Sequence, residues 1–177
     1  MSDIISVQGR RVWDSRGNPT LEVEVILDSG HMGRGIAPAG ASRGTREAID
    51  LRDGGKALRG MDVQLALASI NEVISPALIG HDAFDQAGVD ARILALDPSP
   101  LKETLGGNAT VAASMAVLHA AAAGAGKPLW RYVADHYGRT PTLPLPEIQI
   151  FGGGAHAGRR VDIQDFMVMV MGFIMEL

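Results

Sequence analysis

The chain has 177 residues, 46% of them hydrophobic and 20% charged, with a formal net charge of −4 and no cysteine. That apolar content argues against disorder, the mild acidity leaves no nucleic-acid footprint, and the missing cysteine excludes a disulfide scaffold and thiolate chemistry. Neither a basic n-region ahead of an apolar stretch at Met1 nor any run of about 18 apolar residues is present, so no signal peptide and no spanning helix are expected. The composition is compatible with the cytosol, and a cytoplasmic protein is the expectation. Glycine is unusually frequent, 22 of 177 residues.

The first 40 residues read as β. Leu21-Glu22-Val23-Glu24-Val25 alternates apolar and polar, which buries one face and wets the other. Ile4 to Trp13 and Met32 to Ala37 are its partners, joined through Gly17-Asn18-Pro19 and Asp28-Ser29-Gly30, so a three-stranded antiparallel meander is expected. Pro38-Ala39-Gly40-Ala41-Ser42-Arg43-Gly44-Thr45 follows as a small-residue loop without a hydrophobic anchor, expected to be mobile. A short helix from Thr45 to Leu51, capped by Thr45, is expected next.

The middle of the chain reads as helical. Val63, Ala66, Leu67, Ile70 and Val73 or Ile74 fall at helical spacing, with Asp62 as cap and Ser75-Pro76 as stop. A second helix spans about Asp82 to Leu96. A third, about Asn108 to Ala123, is apolar on every face and should be buried all round. A fourth, amphipathic piece starts at Pro128-Leu129-Trp130. Three prolines between Thr140 and Pro146 then hold an extended linker. Beyond it lie a candidate buried strand, Ile148 to Phe151, a glycine-rich turn, and a second candidate strand, Asp162 to Val170. The boundary falls near Leu143, giving a domain over residues 1–140 and a linker with a second unit over 141–177.

Several segments can carry chemistry, and each has a plainer reading. The Gly40-Ala41-Ser42-Arg43-Gly44 loop can close over an anion or a metal-bound ligand, with Ser42 adding an oxygen; by composition alone it reads first as an ordinary surface loop between strand and helix. Gly152-Gly153-Gly154-Ala155-His156 sets a histidine after glycines that let a backbone approach a ligand, or it is a turn with an exposed His. Asp162, Gln164 and Asp165 share one strand, where period two puts the first two on one face and Asp165 on the other; a half-exposed strand has the same pattern. Asp14 to Thr20 reads as turn chemistry with a surface ion pair. His31, His81, His119 and His136 show no metal-ligand spacing.

Taken together, these segments resemble a family. Asp14-Ser15-Arg16-Gly17-Asn18-Pro19-Thr20 matches the DSRGNPT motif of enolases, and Gly40-Ala41-Ser42-Arg43-Gly44 resembles their GASTG loop. Glu47 to Gly54 resembles EALELRDG, and Leu105 to Thr110 resembles LGANAI. Gly153-Gly154-Ala155-His156-Ala157 resembles GGAHA, and Gln164-Asp165-Phe166-Met167 resembles QEFM. The motifs run in order over nearly the whole chain, which is more specific than any one of them.

The resemblance implies an α+β enolase-like N-terminal domain, meander plus helices, followed by the first strands of an α/β barrel. It implies the reversible, Mg²⁺-dependent dehydration of 2-phosphoglycerate to phosphoenolpyruvate in glycolysis. It also implies a small phosphorylated carboxylate as substrate, no nucleic acid or membrane as partner, and a homodimer. By motif position, Ser42 matches the loop serine that binds the second Mg²⁺, and His156 a histidine near the substrate phosphate. Gln164 matches a substrate-binding glutamine, and Asp165 stands where the family has a catalytic Glu. Arg10, Arg16 and Glu22 match residues near the dimer interface. The departures are Asp165 for Glu, Arg43 for Thr, and Gln149 and Gly152 for the asparagines usual before Gly-Gly. The family's barrel metal ligands, general-acid Glu and Lys base lie beyond the position of Leu177, so the 177 residues alone are expected to be inactive. Two other readings stay open: a paralogue acting on a different phospho- or phosphono-carboxylate, and a non-catalytic domain kept for dimerisation or binding.

Overall fold

A computed structural model of the chain describes residues 2–40 and 43–169, the side chain of His156 excepted. The chain divides into two compact units, Met1–Ala39 with Gly44–Arg139, and Gly40–Arg43 with Thr140–Leu177.

The first unit opens on the expected antiparallel meander, β1 (Ile4–Trp13), β2 (Pro19–Leu27) and β3 (Met32–Ile36), in the order β1-β2-β3. Two turns set its register. The Asp14 carboxylate accepts the N–H groups of Arg16 and Asn18, both at 2.8 Å, while Gly17 and Gly30 take the left-handed conformation. Leu21, Val23, Val25 and Leu27 of β2 point inward and are fully buried. The other face is less wet than the alternation suggests: Thr20 and Glu22 on it are buried as well.

Helices cover the inner face. The first, α1 (residues 64–78), is a run of α, π and α turns, Gln64–Ala68, Ser69–Ile74 and Ser75–Leu78. It continues through Ser75-Pro76, where a stop is expected from sequence. A proline inside a regular α-helix meets the carbonyl four residues back; the π turn ahead of Pro76 re-registers the ladder and accommodates it. Its N-terminal amides are capped from a distance. Asp53 accepts from the N–H of Gln64 at 3.1 Å and of Leu65 at 2.8 Å, whereas Asp62, the expected cap, receives Val63 N–H and both terminal nitrogen contacts of Arg11 Nη1.

Next come α2 (Gln86–Leu96), α3 (Gly107–Gly124) and α4 (Leu129–His136). The second helix starts four residues later than Asp82, because Asp85 supplies the cap by accepting Gly88 N–H at 2.9 Å. The alanine-rich α3 lies directly on β3, and the reason is glycine. A Cβ at Gly33 would overlap the backbone of Ala116 and Ala120, and one at Gly35 the carbonyl of Ala112. Helix and strand thus approach until backbones touch, with alanines on one side and glycines on the other. Burial of α3 is not all round: Val111 and Met115 are exposed on its outer stripe. No single helix among the described residues is long and apolar enough to cross a membrane.

The helix expected from Thr45 to Leu51 does not form; residues 45–47 make a turn and 48–54 run extended or irregular. The backbone groups there are claimed by distant partners. Ile49 N–H donates to the Leu101 carbonyl and the Ile49 carbonyl accepts from Gly107, both at 2.7 Å, and Leu51 is clamped by Asn108, whose Oδ1 and Nδ2 bond its N–H and carbonyl, both at 3.1 Å. Tertiary hydrogen bonds here override a local propensity of a few tenths of a kcal/mol per residue.

The second unit carries an antiparallel hairpin, β4 (Glu147–Gly152) and β5 (Asp165–Met169), with a register irregularity between Gln149 and Phe151. The strand expected to be buried is exposed: Ile148, Ile150 and Phe151 are each about half open or more, and Gly153 alone is buried among the described residues of 140–169. Within this unit the hairpin is a two-stranded sheet, so each strand has a single partner. Phe151 and Phe166 supply a local anchor, stacked with ring centres 4.1 Å apart.

Candidate functional site

The residues that sequence singles out gather chiefly around the β4–β5 hairpin. The connection is tight because of its glycines. Gly153 N–H donates to the Gln164 carbonyl at 2.6 Å and Gly154 N–H to Val161 at 2.7 Å, while a Cβ at Gly153 would overlap the Ile163 carbonyl. Sequence suggests that these glycines bring a backbone to a ligand; in the structure they bring one arm of the hairpin to the other. His156 lies in the short 3₁₀ turn Gly154–Ala157, closed by left-handed Gly158 and Arg159.

Asp165 is the centre of a small polar constellation. Gln149 Nε2 donates to its Oδ1 at 2.5 Å and Gln164 Nε2 to its Oδ2 at 3.2 Å. Period two places Asp165 opposite Gln164; the structure instead joins the two carboxamides on one carboxylate, because Gln164 lies just before the strand and its side chain folds back. Gln149 is the residue that sequence reasoning misses as a participant. The available signal was length: Asp at 165 is one methylene shorter than Glu, and Gln at 149 one methylene longer than Asn. Asp162 makes no side-chain hydrogen bond among the described residues.

On the outer face of the meander, Arg10, Glu22, Glu24 and Arg34 form a cross-strand ladder. Arg10 Nε donates to Glu22 Oε1 at 2.7 Å, and Arg34 bonds Glu24 at 2.8 and 2.9 Å. Direct pairing of Arg10 with Glu22 and of Glu24 with Arg34 across the strands sets this up, and the two guanidinium groups are what bury Glu22. Arg16 stands apart on the first turn and is exposed, with its N–H bound to Asp14. The Asn18 N–H holds the Asp14 carboxyl below its ordinary range; desolvation opposes it, and the N–H and charge of Arg16 add to the lowering.

The remaining motifs are structural. Arg52 donates to the carbonyls of Pro19 at 2.5 Å and Met61 at 2.7 Å and pairs with Asp50, so it ties β2 to the loop before α1. Gly106 and Gly107 let the start of α3 meet the 48–51 segment: a Cβ at Gly106 would lie 2.6 Å from Leu51 Cβ, and one at Gly107 2.7 Å from Ala48 Cβ. Buried Asp97 organises the turn leading there, accepting Ser99 Oγ at 2.6 Å and the N–H groups of Thr104 and Leu105 at 2.9 Å. Burial pushes its carboxyl up, but these hydrogen bonds together outweigh burial and hold it at about 2.

Ser42 lies outside the described residues. Among the described residues no group of three or more His, Asp or Glu side chains is placed to hold a metal ion.

A meander backed by an alanine-rich helix, followed by a separate hairpin carrying a carboxylate held by two carboxamides, defines an α+β domain joined to the opening of a second fold. Residues 4–133 match the enolase N-terminal domain, and residues 140–175 match the enolase C-terminal TIM barrel domain. The chain belongs to the enolase family.

Proposed function

We propose that the protein is a carbon–oxygen hydro-lyase of glycolysis that interconverts 2-phosphoglycerate and phosphoenolpyruvate with Mg²⁺, and that the family's metal ligands and base are not among these 177 residues. The family match supports the reaction class, and the constellation at Asp165 is the observation that carries the substrate reading. When bound, the cation would stabilise the second negative charge that builds as a proton leaves the carbon beside a carboxylate. The chain's own residues hold and orient. Two carboxamides fix the Asp165 carboxylate in one rotamer, and Gln164 is next to it for a hydroxyl or carboxylate of the substrate. His156 is assigned to the phosphate end, and Ser42 to the second Mg²⁺ on loop closure, where the site would exclude water. A cytoplasmic setting and a homodimer built on the Arg10, Arg16 and Glu22 face belong to the same reading.

The Gln149–Asp165 contact favours a retained site over a decayed one. A shorter acid is met by a longer amide, so the carboxylate keeps a fixed position. A misplacement of about 1 Å can cost about a hundredfold in rate. The alternative reading, a paralogue for another phospho- or phosphono-carboxylate, rests on the same pair, because the carboxylate is drawn toward β4.

Purified 177-residue chain is incubated with 2-phosphoglycerate and Mg²⁺ and phosphoenolpyruvate is followed by absorbance. No turnover is expected from this chain; turnover is expected from a protein in which it is joined to a complete barrel. Phosphoenolpyruvate formation by the 177 residues would contradict the division of labour. Turnover of a phosphonate analogue but not of 2-phosphoglycerate by the complete protein would favour the paralogue.

A further inference from the structure

One cavity of the first unit has a chemistry that the fold does not use. Gln86 and Asp90 stand one helical turn apart on α2, Ser114 faces them from α3, and Tyr132 and His136, again one turn apart, face them from α4, with Tyr137 just beyond. Together they line a space of about 300 Å³, at the lower end of the range for small-molecule sites.

The polar wall is short of donors. Ser114 Oγ donates to Asp90 Oδ1 at 2.6 Å, and Gln86 Nε2 donates to the same oxygen at 3.0 Å and to the Ser114 carbonyl at 3.3 Å. Because a carboxylate and a carbonyl only accept, the nitrogen of the Gln86 amide must face them, which fixes the amide's orientation. That leaves Gln86 Oε1 buried without a partner. A buried acceptor without a donor is destabilising. Asp90 Oδ2 receives no hydrogen bond from the described residues and is open to solvent rather than buried. The acceptor open to the cavity is therefore a carboxylate oxygen, Asp90 Oδ2, which suits a ligand that carries N–H donors and a positive charge.

The opposite wall is aromatic. Tyr132 and His136 are stacked at 6.5 Å, and His136 meets Tyr137 edge to face at 4.9 Å and 84°. Such a corner receives an apolar body and favours a cation over its faces. We propose that this cavity binds a small primary amine or guanidine compound, its cationic head on Asp90 Oδ2 and its apolar body against Tyr132 and Tyr137.

The test uses the 177-residue chain and three probes: 2-phenylethylamine, agmatine, and the neutral 2-phenylethanol. Binding is followed by tyrosine and amide NMR shifts and by calorimetry. The expected result is saturable binding of at least one cation, with shifts at Tyr132, Tyr137 and Ser114, and 2-phenylethanol weaker by about tenfold or more, as loss of a charge-assisted hydrogen bond dictates. Asp90→Asn should weaken the cation by a similar factor. Tyr137→Ala, at an exposed side chain, should weaken it about threefold, the loss of one aromatic face, while leaving the amide spectrum elsewhere unchanged. If Asp90→Asn fails to fold, the amine-to-alcohol ratio and Tyr137→Ala decide. Equal affinity for alcohol and amine, an amine indifferent to Asp90→Asn, or no saturable binding of either cation would overturn the proposal, Asp90 Oδ2 then being served by water.

Discussion

The two units have similar apolar sequences and opposite fates. In the first, β2 reads Leu-Glu-Val-Glu-Val and its apolar residues are fully buried, because α1 and α3 deliver alanine- and isoleucine-lined faces to it. In the second, β4 reads Ile-Gln-Ile-Phe and its apolar residues are open. Strand-forming sequence is therefore not enough for burial; a strand is buried by the elements that cover it. The unit with the core holds few of the residues assigned to chemistry, and the unit with Gln149, His156, Gln164 and Asp165 has one aromatic stack in place of a core.

The comparison breaks most easily at the glycine–alanine seam. Gly35→Ala would force a side chain into the α3 backbone, and the expected loss is about 3 kcal/mol or more, above the usual cost of overpacking because a backbone cannot repack. Urea unfolding followed by circular dichroism would show it as a lower midpoint. A change below about 0.5 kcal/mol would mean that α3 and β3 are not in backbone contact.

Asp97 is next. Its four hydrogen bonds make Asp97→Ala cost about 2–3 kcal/mol. The pH dependence has a definite sign. A carboxyl at about 2 in the folded chain against an ordinary 3.8 stabilises fully above 3.8, and that stabilisation is lost as pH falls toward 2. Asp14, Asp62, Asp82 and Asp135 are shifted in the same direction. Stability measured by urea titration from pH 5 to pH 2 should fall, and Asp97→Asn should flatten the lower part of that fall.

Asn108→Ala removes both hydrogen bonds to Leu51 and should cost about 1–2 kcal/mol. The smallest effect belongs to the hairpin. Phe166→Ala should leave the main unfolding transition within about 0.5 kcal/mol of the parent, since the side chain belongs to the second unit and is stacked on Phe151 there. A cooperative loss of 2 kcal/mol or more would show that the two units unfold as one.

Legibility in the sequence follows the same division. The meander, its two turns and the four helices can be read from period and punctuation, because local signals and tertiary demand agree there. The 45–51 segment could not, since its backbone partners, Leu101, Gly107 and Asn108, lie more than fifty residues away. The run through Pro76 could not either, since a π turn leaves no compositional mark. At the site, His156 and Gln164 are visible through motif position. The role of Gln149 depends on a register irregularity and on a side chain reaching across two strands. Nothing in a one-dimensional pattern reports that Gly33 and Gly35 face a helix backbone rather than solvent.

Hydrogen exchange across the 177-residue chain, read by mass spectrometry in native conditions, tests the central contrast most directly. Amides of β1, β2 and α3 should exchange only through global unfolding, as a single slow class. Those of β4 and β5 should exchange orders of magnitude faster, through local opening. Protection of residues 147–152 and 165–169 equal to that of the meander would contradict the account.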